Sequence, residues 1–275
     1  MQLHRRKSAD ELRELSLPFL LVNEAEHGLL IGLILGVDAL PAEAFAVCLR
    51  DGNDVVGVAL RLDDRTIVSR VDDAGALEVL ANAAAADTRM AMVAGAPATV
   101  AAIRAHSRRD VGFTMDQMIY AAGAMGPAAR PVDGRRRLAE PRDRELLIDA
   151  HLELNAALGA SQTRDAAGVA MDRVIARAVL HVWETAAGDV VSCAGTTGET
   201  VRGIRLNYVY TPAQHRGHGY ASALVRDLTR SLLHAGRSFV FLHADRANPT
   251  ATALYARLGF EHVADFTMIR YASSA

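Results

Sequence analysis

Residues 206–224 read LNYVYTPAQHRGHGYASAL and contain the end of a strand, a turn and the start of a helix. The strand ends at Pro212, which has no N–H to donate to a sheet. The chain then enters the helix through the sequence RGHG at 216–219. Glycines at a helix entrance let backbone amides approach a ligand closely, and the helix dipole adds positive character there. The stretch therefore predicts a phosphate-binding turn.

Two readings of this turn compete with phosphate binding. A dinucleotide-binding turn would need a third glycine where Ser222 stands and a parallel-sheet setting, and neither is present. Gly217 and Gly219 could also serve only to shape a tight turn. Arg216 adds a full positive charge beside them, which favours an anionic ligand.

The spacing Gln214-x-x-Gly217-x-Gly219 resembles the Q/R-x-x-G-x-G/A signature of the GCN5-related N-acetyltransferases, whose loop binds the pyrophosphate of acetyl-CoA. A second block, LHADRANPTATALYARLGF at 242–260, is similar to the other recognisable block of that family and follows at the family's spacing. The resemblance extends over residues 138–271. Over residues 1–121 it is only topological, as in tandem members of the family in which one copy has degenerated.

The resemblance implies a set of acetyl-CoA contacts in the second half. Backbone groups of one strand end would pair with the pantetheine arm, the turn and helix start would hold the pyrophosphate, and a later asparagine would touch the cofactor arm. The strand-end residues are Val209, Tyr210 and Thr211. The residues of the turn and helix start are Gln214, His215, Arg216, Gly217, His218, Gly219, Tyr220 and Ala221. The asparagine is Asn248.

The resemblance also implies that Tyr255 protonates the departing thiolate, because an ordinary tyrosine is protonated at neutral pH. Tyr255 could equally be a packed aromatic with a satisfied hydroxyl. The general base is open: Glu199 and either His243 or Asp245 are the candidates, and a water relay is the alternative. His243 could be a core histidine, Glu199 a solvated carboxylate, and Asp245 a turn or cap residue.

Composition limits the other functions that the chain could have. Its 275 residues are 51% hydrophobic and 23% charged, which predicts folded cores and favours two domains. Its 30 basic and 32 acidic residues give no basic excess, so we expect no nucleic-acid partner. Lys7 is the only lysine, which excludes lysine-dependent chemistry from the body of the chain.

Location and metal binding can also be argued from the sequence. Acidic residues beside the first apolar segment argue against a signal peptide, and the longest apolar run, 28–37, is too short to span a membrane. Cys48 and Cys193 match no metal or redox spacing, so we expect a cytoplasmic protein with no metal and no membrane partner. His215 and His218 are three residues apart, but no further ligand completes a metal site.

Hydrophobic periodicity predicts mixed α/β structure with mostly antiparallel hairpins. The predicted helices cover 10–36, 74–86, 97–107, 142–158, 165–178, 218–233 and 249–258. The predicted strands cover 45–50, 55–61, 66–70, 89–93, 111–121, 136–139, 179–184, 190–194, 204–210, 239–244 and 262–271.

The two halves resemble each other in this order of elements, as two copies of one fold would. The small, Gly- and Pro-rich segment 122–131 predicts a linker between a degenerate acetyltransferase-like domain at 1–121 and a catalytic domain at 132–275. Each domain would be α/β (α+β), with a mixed, largely antiparallel twisted sheet flanked by helices.

Within the first half, Asp72 and Asp73 stand where the second half has its glycine turn. Acids at a helix start suit caps but repel a pyrophosphate, so we expect no CoA binding there. That half would instead complete the sheet, wall the acceptor pocket or form a homodimer surface.

Together these observations predict an acetyl-CoA-dependent N-acetyltransferase that moves an acetyl group to a primary amine by direct attack. The acceptor would be a small-molecule amine or a peptide amine, lying between the two domains. The alternative is a catalytically silent CoA- or acyl-CoA-binding sensor or assembly protein.

Overall fold

The computed structural model describes residues 1–126, 131–157 and 159–272. Three parts of the sequence predictions lie outside the described residues: 127–130 of the linker, Leu158 at the end of a predicted helix, and 273–275 of the second domain. The described residues form one mixed α/β assembly in which helices cover both faces of a single sheet.

The first half contributes six strands and four helices among the described residues. In chain order these are β1 (Gln2–Arg5), α1 (Ala9–Leu20), α2 (Gly28–Leu35), β2 (Phe45–Asp51), β3 (Asp54–Arg61), β4 (Arg65–Val68), α3 (Ala74–Ala85), β5 (Met92–Gly95), α4 (Pro97–His106) and β6 (Val111–Ala122).

The second half repeats that order with another six strands and four helices among the described residues. They are β7 (Arg135–Leu138), α5 (Arg144–Ala157), α6 (Arg164–Ala176), β8 (Leu180–Glu184), β9 (Val190–Glu199), β10 (Gly203–Tyr210), α7 (Tyr220–His234), β11 (Phe239–Asp245), α8 (Pro249–Leu258) and β12 (Glu261–Tyr271).

The strand order across the sheet is β1-β2-β3-β4-β5-β12-β6-β11-β10-β9-β8-β7. If each strand is replaced by its counterpart six places along the chain, the result is the same order read from the opposite edge of the sheet. The sheet therefore has an approximate two-fold relationship between the halves. Among the described strand pairs, only β4–β5 and β10–β11 are parallel, so the predicted largely antiparallel character is confirmed.

The halves exchange their last strands at the centre of the sheet. β12 ends the chain but pairs with β5 of the first half, whereas β6 pairs with β11 of the second half. β6 and β12 also pair with each other, from Glu261 opposite Ala121 to Tyr271 opposite Val111. The long central ladder thus joins the two halves through backbone hydrogen bonds, and the boundary drawn at 122–131 stays a prediction.

Helices are segregated by face, and each face carries two apolar cores. On one face, called face A here, α1 and α2 cover one core and α5 and α6 cover the other. On the opposite face, called face B, α3 and α4 cover the third core and α7 and α8 the fourth. Burial of these four cores is the main force holding the layers together.

Helix α2 of the first half also packs on face A of the second half. A Cβ placed on Gly32 would lie 2.8 Å from Cα of Gly198 in β9, so only glycine permits this approach of backbone to backbone. Both halves therefore contribute to face A beside β9 and β10.

The predicted elements are confirmed, with three corrections. β1 was not predicted, because four half-exposed residues at a sheet edge show no alternation. The strand predicted at 89–93 is Met92–Gly95, since Asp87 holds Arg89 and Met90 in a turn. The single helix predicted at 10–36 is broken between Leu20 and Gly28 by a short 3-10 turn at Leu21–Asn23.

Candidate functional site

A cleft opens between β10 and β11 of the second half. Among the described residues these parallel strands pair only from Gly203 opposite Phe239 to Arg205 opposite Phe241. Beyond Arg205 the strands separate, while β10 stays paired with β9 on its other side. The edge of β10 that faces β11 is consequently free to pair with an extended ligand.

A β-bulge lies in β10 just beyond the point of separation. The pairing of β10 with β9 shifts register between Asn207 and Tyr210, and Tyr208 lies between them with φ of +51°. A non-glycine residue at such an angle is strained by about 1–3 kcal/mol, so its surroundings must hold it. The Tyr208 ring packs on His151 of α5, with ring centroids 5.6 Å apart.

Strand β9 secures the end of β10 with two further side chains. Cys193 Sγ donates to the carbonyl of Tyr208 at 3.5 Å, and Ser192 Oγ donates to the carbonyl of Tyr210 at 3.0 Å. Ser192 Oγ also lies 2.9 Å from Thr211 Oγ1. These contacts hold the end of β10 from its closed side.

The turn predicted to bind phosphate leads from β10 directly into α7. Gly217 and Gly219 have φ of +81° and +83°, a region that L-residues with side chains seldom adopt. A Cβ on Gly217 would meet nothing within 4 Å, so the turn borders open space. Gly219 is the N-cap of α7 and provides no side-chain cap, which leaves the first helical N–H groups available for an anion.

The structure brings the other predicted cofactor residues to this turn. Val209, Tyr210 and Thr211 lead into it, Gln214 and His215 lie in a 3-10 turn, and Arg216, His218, Tyr220 and Ala221 surround the glycines. Arg216 Nε donates to the carbonyl of Thr211 at 3.0 Å, which fixes the guanidinium across the turn. His218 stacks on Tyr220 with centroids 5.7 Å apart.

Asn248 and Asp245 both accept hydrogen bonds from backbone N–H groups close to them in the chain. Asn248 is the N-cap of α8, and its Oδ1 accepts from the N–H of Ala251 at 3.0 Å. Asp245 Oδ1 accepts from the N–H of Ala247 at 2.9 Å, in keeping with the turn role considered for it. The side chain of Asn248 therefore stabilises the helix that carries Tyr255.

Tyr255 is buried on face B between aromatic neighbours. Its ring centroid lies 6.1 Å from that of Tyr120 and 5.9 Å from that of Phe260. Burial raises the pKa of Tyr255 to about 12, so the phenol carries its proton throughout the physiological pH range. This position fits either a proton donor or a packed core residue.

Glu199 and His243 lie apart from each other. Glu199 is exposed at the end of β9, pairs with Ile204 at the closed end of the cleft and forms a 2.8 Å ion pair with Arg237. His243 lies on face A of β11 with its ring 4.6 Å from that of Phe266. Burial, together with the charge of Arg205, lowers the pKa of His243 to about 3, which makes it a weak base.

The corresponding position in the first half is closed. β4 pairs with β5 along its whole length, up to Val68 opposite Gly95. A Cβ on Gly95 would lie 2.2 Å from the carbonyl oxygen of Val68, so no arm can pass between these strands. At the start of α3, Asp73 Oδ1 accepts from the N–H of Ala76 at 2.8 Å, where α7 has the uncapped Gly219.

Sequence reasoning missed the bulge at Tyr208 and the polar residues Arg205 and Asn207 on face A of β10. The bulge has no signature in residue types alone. The polar pair did carry a signal, because Ile204, Arg205, Leu206 and Asn207 alternate apolar and polar on a strand that helices cover on both faces. Polar side chains in such a setting need partners or a ligand.

A splayed parallel strand pair followed by a glycine turn and an uncapped helix is the arrangement that the resemblance to the GCN5-related N-acetyltransferases implies, and comparisons with known proteins support that fold. Residues 194–269 match the model of the FR47-like protein family. No curated protein sequence matches the chain. The resemblance to the GCN5-related N-acetyltransferases is thus confirmed for the fold and for the region of the cleft.

Solved structures extend the likeness to the whole chain. An acetyltransferase of this family from Colwellia psychrerythraea is 13% identical with a TM-score of 0.60, covering 99% of this chain and 100% of that one. A GCN5-related N-acetyltransferase from Sphaerobacter thermophilus is 16% identical with a TM-score of 0.61, covering 98% and 95%. A tandem protein of the family from the clavulanic acid biosynthesis pathway is 15% identical with a TM-score of 0.57, covering all of both chains.

Two kinds of feature are absent from the described residues. In 1–126, 131–157 and 159–272, no helix has the length and apolar character needed to cross a membrane. The same described ranges contain no group of three or more His, Cys, Asp or Glu residues placed to hold a metal ion.

Proposed function

We propose that the protein is an acetyl-CoA-dependent N-acetyltransferase with one active site, in its second half, that acetylates a primary amine. The observation that carries this proposal is the continuous path from the open edge of β10, through the bulge at Tyr208, to the uncapped start of α7. An extended arm ending in a pyrophosphate fits both parts of that path.

The residues at the cleft fit acetyl-CoA by their chemistry. Free backbone groups of Val209, Tyr210 and Thr211 would bind the arm, and N–H groups at the start of α7 together with Arg216 would bind the pyrophosphate. The bound thioester would supply an activated acetyl group. Backbone N–H groups on the open edge of β10 would stabilise negative charge that develops on the acetyl oxygen.

Tyr255 would donate its phenolic proton to the sulfur as the C–S bond breaks and the new C–N bond forms. Its raised pKa does not oppose this step, because the same dehydrated surroundings raise the proton affinity of a thiolate. The amine must also lose a proton. The ion pair of Glu199 and the low pKa of His243 weigh against both residues as the base, so we propose that water accepts this proton.

The first half would bind no CoA, since β4 and β5 are closed and Asp73 caps the start of α3. It would instead supply α2 as a wall of the acceptor cleft and β6 as a central strand. In this proposal, 1–121 is a degenerate copy, 122–131 a linker and 132–275 the catalytic domain.

Acetyl transfer can be tested directly by incubating the protein with acetyl-CoA and a panel of primary amines, including small amines, amino acids and short peptides. The expected result is release of CoA thiol together with an acceptor that is heavier by one acetyl group. Acetyl-CoA binding without turnover of any amine would favour the sensor or assembly function. Absence of both binding and turnover would contradict the proposal.

A further inference from the structure

Two polar side chains on face A of β10 each keep one buried atom without a hydrogen-bond partner. They are Arg205, through Nε, and Asn207, through Oδ1. The two residues are two positions apart in a strand, so their side chains project from the same face. One offers an N–H donor and the other offers an acceptor oxygen.

A single hydroxyl holds both side chains in place. Thr197 Oγ1 of β9 accepts from Arg205 Nη2 at 3.3 Å and from Asn207 Nδ2 at 2.6 Å. Both side chains are thereby oriented, while Arg205 Nε and Asn207 Oδ1 stay buried without a hydrogen-bond partner. Gly195 provides the space, because a Cβ there would lie 2.6 Å from Asn207 Oδ1.

Charge around Arg205 is positive and uncompensated. Burial lowers the pKa of Arg205, and the ionisable groups beside it are Tyr208, Arg65 and His243. Arg65 forms its own ion pair with Asp63, at 2.6 Å. Among the described residues Arg205 forms no ion pair with a carboxylate, and a half-buried guanidinium without one is costly for the folded state.

The polar pair lies at the vertex of the cleft. Arg205 is the last residue of β10 that pairs with β11, and the strands separate directly after it. On face A this point lies beside His243 and Tyr208, where α2 and α5 pack against β10. The acceptor enters this region if the acetyl group is delivered along the open edge of β10.

We propose that Arg205 and Asn207 select an acceptor that carries a carboxylate as well as its primary amine. The Nε edge of Arg205 would bind the carboxylate, and Asn207 Oδ1 would accept an N–H of the amine. This inference rests on the proposed function and narrows its acceptor to amino-carboxylates.

The donor and acceptor pair favours this class over other ligands. The Nε edge of a guanidinium is planar and matches the planar carboxylate. A simple amine would satisfy Asn207 but would leave Arg205 unpaired and would add a positive charge beside it. A carboxylate satisfies Arg205, and the amine joined to it satisfies Asn207.

Carboxylate binding at Arg205, called the anion site here, can be tested without turnover. The test is thermal unfolding with sodium propionate or with propionamide at equal ionic strength. We expect propionate to raise the melting temperature of the wild type, propionamide to have no effect, and Arg205→Met to abolish the response. Arg230→Met, which removes an exposed arginine of α7, is the matched control and should respond like the wild type. An equal response of wild type and Arg205→Met, no response to propionate, or a larger response to inorganic phosphate would overturn the proposal.

Stability of the variants without ligand separates a binding role from a structural one. Arg205→Met should melt at or above the wild-type temperature, because it removes an unpaired buried charge. Arg205→Lys retains the charge without the Nε edge and should also lose the propionate response. A large drop in the melting temperature of Arg205→Met would show that the guanidinium is part of the folded core and would contradict the proposal.

Turnover then tests selectivity, using glycine, β-alanine and L-amino acids, each against its carboxamide. We expect acetylation of a carboxylate-bearing amine at least tenfold faster than of its carboxamide, with this preference lost in Arg205→Met and retained in Arg230→Met. Acetyl-CoA could bind while the carboxamides are acetylated as fast as the carboxylate-bearing amines, or while no carboxylate-bearing amine is acetylated. Either result would show that the proposed acceptor class is wrong and would leave the proposed cofactor site standing. If acetyl-CoA does not bind, the proposed function fails, and the propionate response alone decides whether the anion site exists.

Discussion

The carboxylate of Glu24, which follows α1 in the first half, accepts from Nε of Arg202 at 2.6 Å, just before β10 in the second half. It also accepts from the Arg202 backbone N–H and from Thr200 Oγ1, each at 2.6 Å. The Glu24 side chain is only 2% exposed. The start of the strand that forms the cleft is therefore fixed by a residue from the other half of the chain.

Glu24→Gln should destabilise the protein by about 2–4 kcal/mol, because it removes the buried negative charge and sets an NH₂ donor where an oxygen accepted a hydrogen bond. Urea denaturation measures this change. Glu145→Gln is the matched control, since Glu145 makes exposed ion pairs with Arg144 and Arg164, and it should leave the stability unchanged. Equal effects of the two substitutions would show that the contact between the halves contributes little.

The Glu24 contact should also weaken in acid. Burial alone would raise the pKa of Glu24, but hydrogen bonds from Thr200 and Arg202 outweigh it and hold that pKa below its ordinary value. The contribution to stability is thus present above the ordinary pKa and is lost as the pH falls through the lowered one. Urea denaturation from pH 7 down to pH 3 should show the gap between wild type and Glu24→Gln closing, and a constant gap would contradict this.

His243 should make a separate contribution to acid sensitivity. Its pKa is about 3 in the folded protein, whereas the unfolded chain takes up the proton near the ordinary value of 6.5. The folded state therefore loses up to about 1.4 kcal/mol per pH unit as the pH falls below 6.5, until the folded value is reached.

His243→Phe keeps the contact with Phe266 and removes the ionisation, so its stability should fall less between pH 7 and pH 4. His181, whose pKa burial lowers to about 4, titrates in both proteins and cancels in the comparison. Identical pH profiles for wild type and variant would mean that solvent reaches His243 freely in the folded state.

Tyr255→Phe should lower kcat by about 100-fold or more if the phenol is the proton donor, and it should leave acetyl-CoA binding intact. Tyr120→Phe is the matched control, because it removes a hydroxyl from the adjacent buried ring. That hydroxyl donates to Met118 Sδ at 3.6 Å. A similar loss in both variants would indicate a packing effect, and an unchanged kcat in Tyr255→Phe would remove the residue from the mechanism.

The sequence was most informative where function restricts the backbone. The glycines at 217 and 219 predicted a turn at a helix start, and the structure has both, with the two glycines at positive φ. Asp73 likewise predicted a capped helix in the first half. Such local features can be predicted because they depend on residue types within a few positions of each other.

Two features that shape the site depend on distant residues and could not be predicted. The bulge at Tyr208 is held by Cys193 and His151, which are 15 and 57 positions away. The exchange of β6 and β12 leaves the residue pattern of each strand unchanged, because the alternation of side chains along a strand does not depend on which strand lies beside it. The sequence therefore indicated two copies of a fold but not how their sheets join.

Calorimetric titration with acetyl-CoA tests the central claim most directly, comparing wild type, Gly217→Glu and Gly188→Glu. Gly188 lies between β8 and β9, has φ of +90° and open space around it, so the control variant carries the same charge and a similar backbone strain. We expect binding with one site per chain in the wild type and in Gly188→Glu, and none in Gly217→Glu. Unchanged binding in Gly217→Glu, or no binding in the wild type, would contradict the assignment of the cleft and its turn to acetyl-CoA.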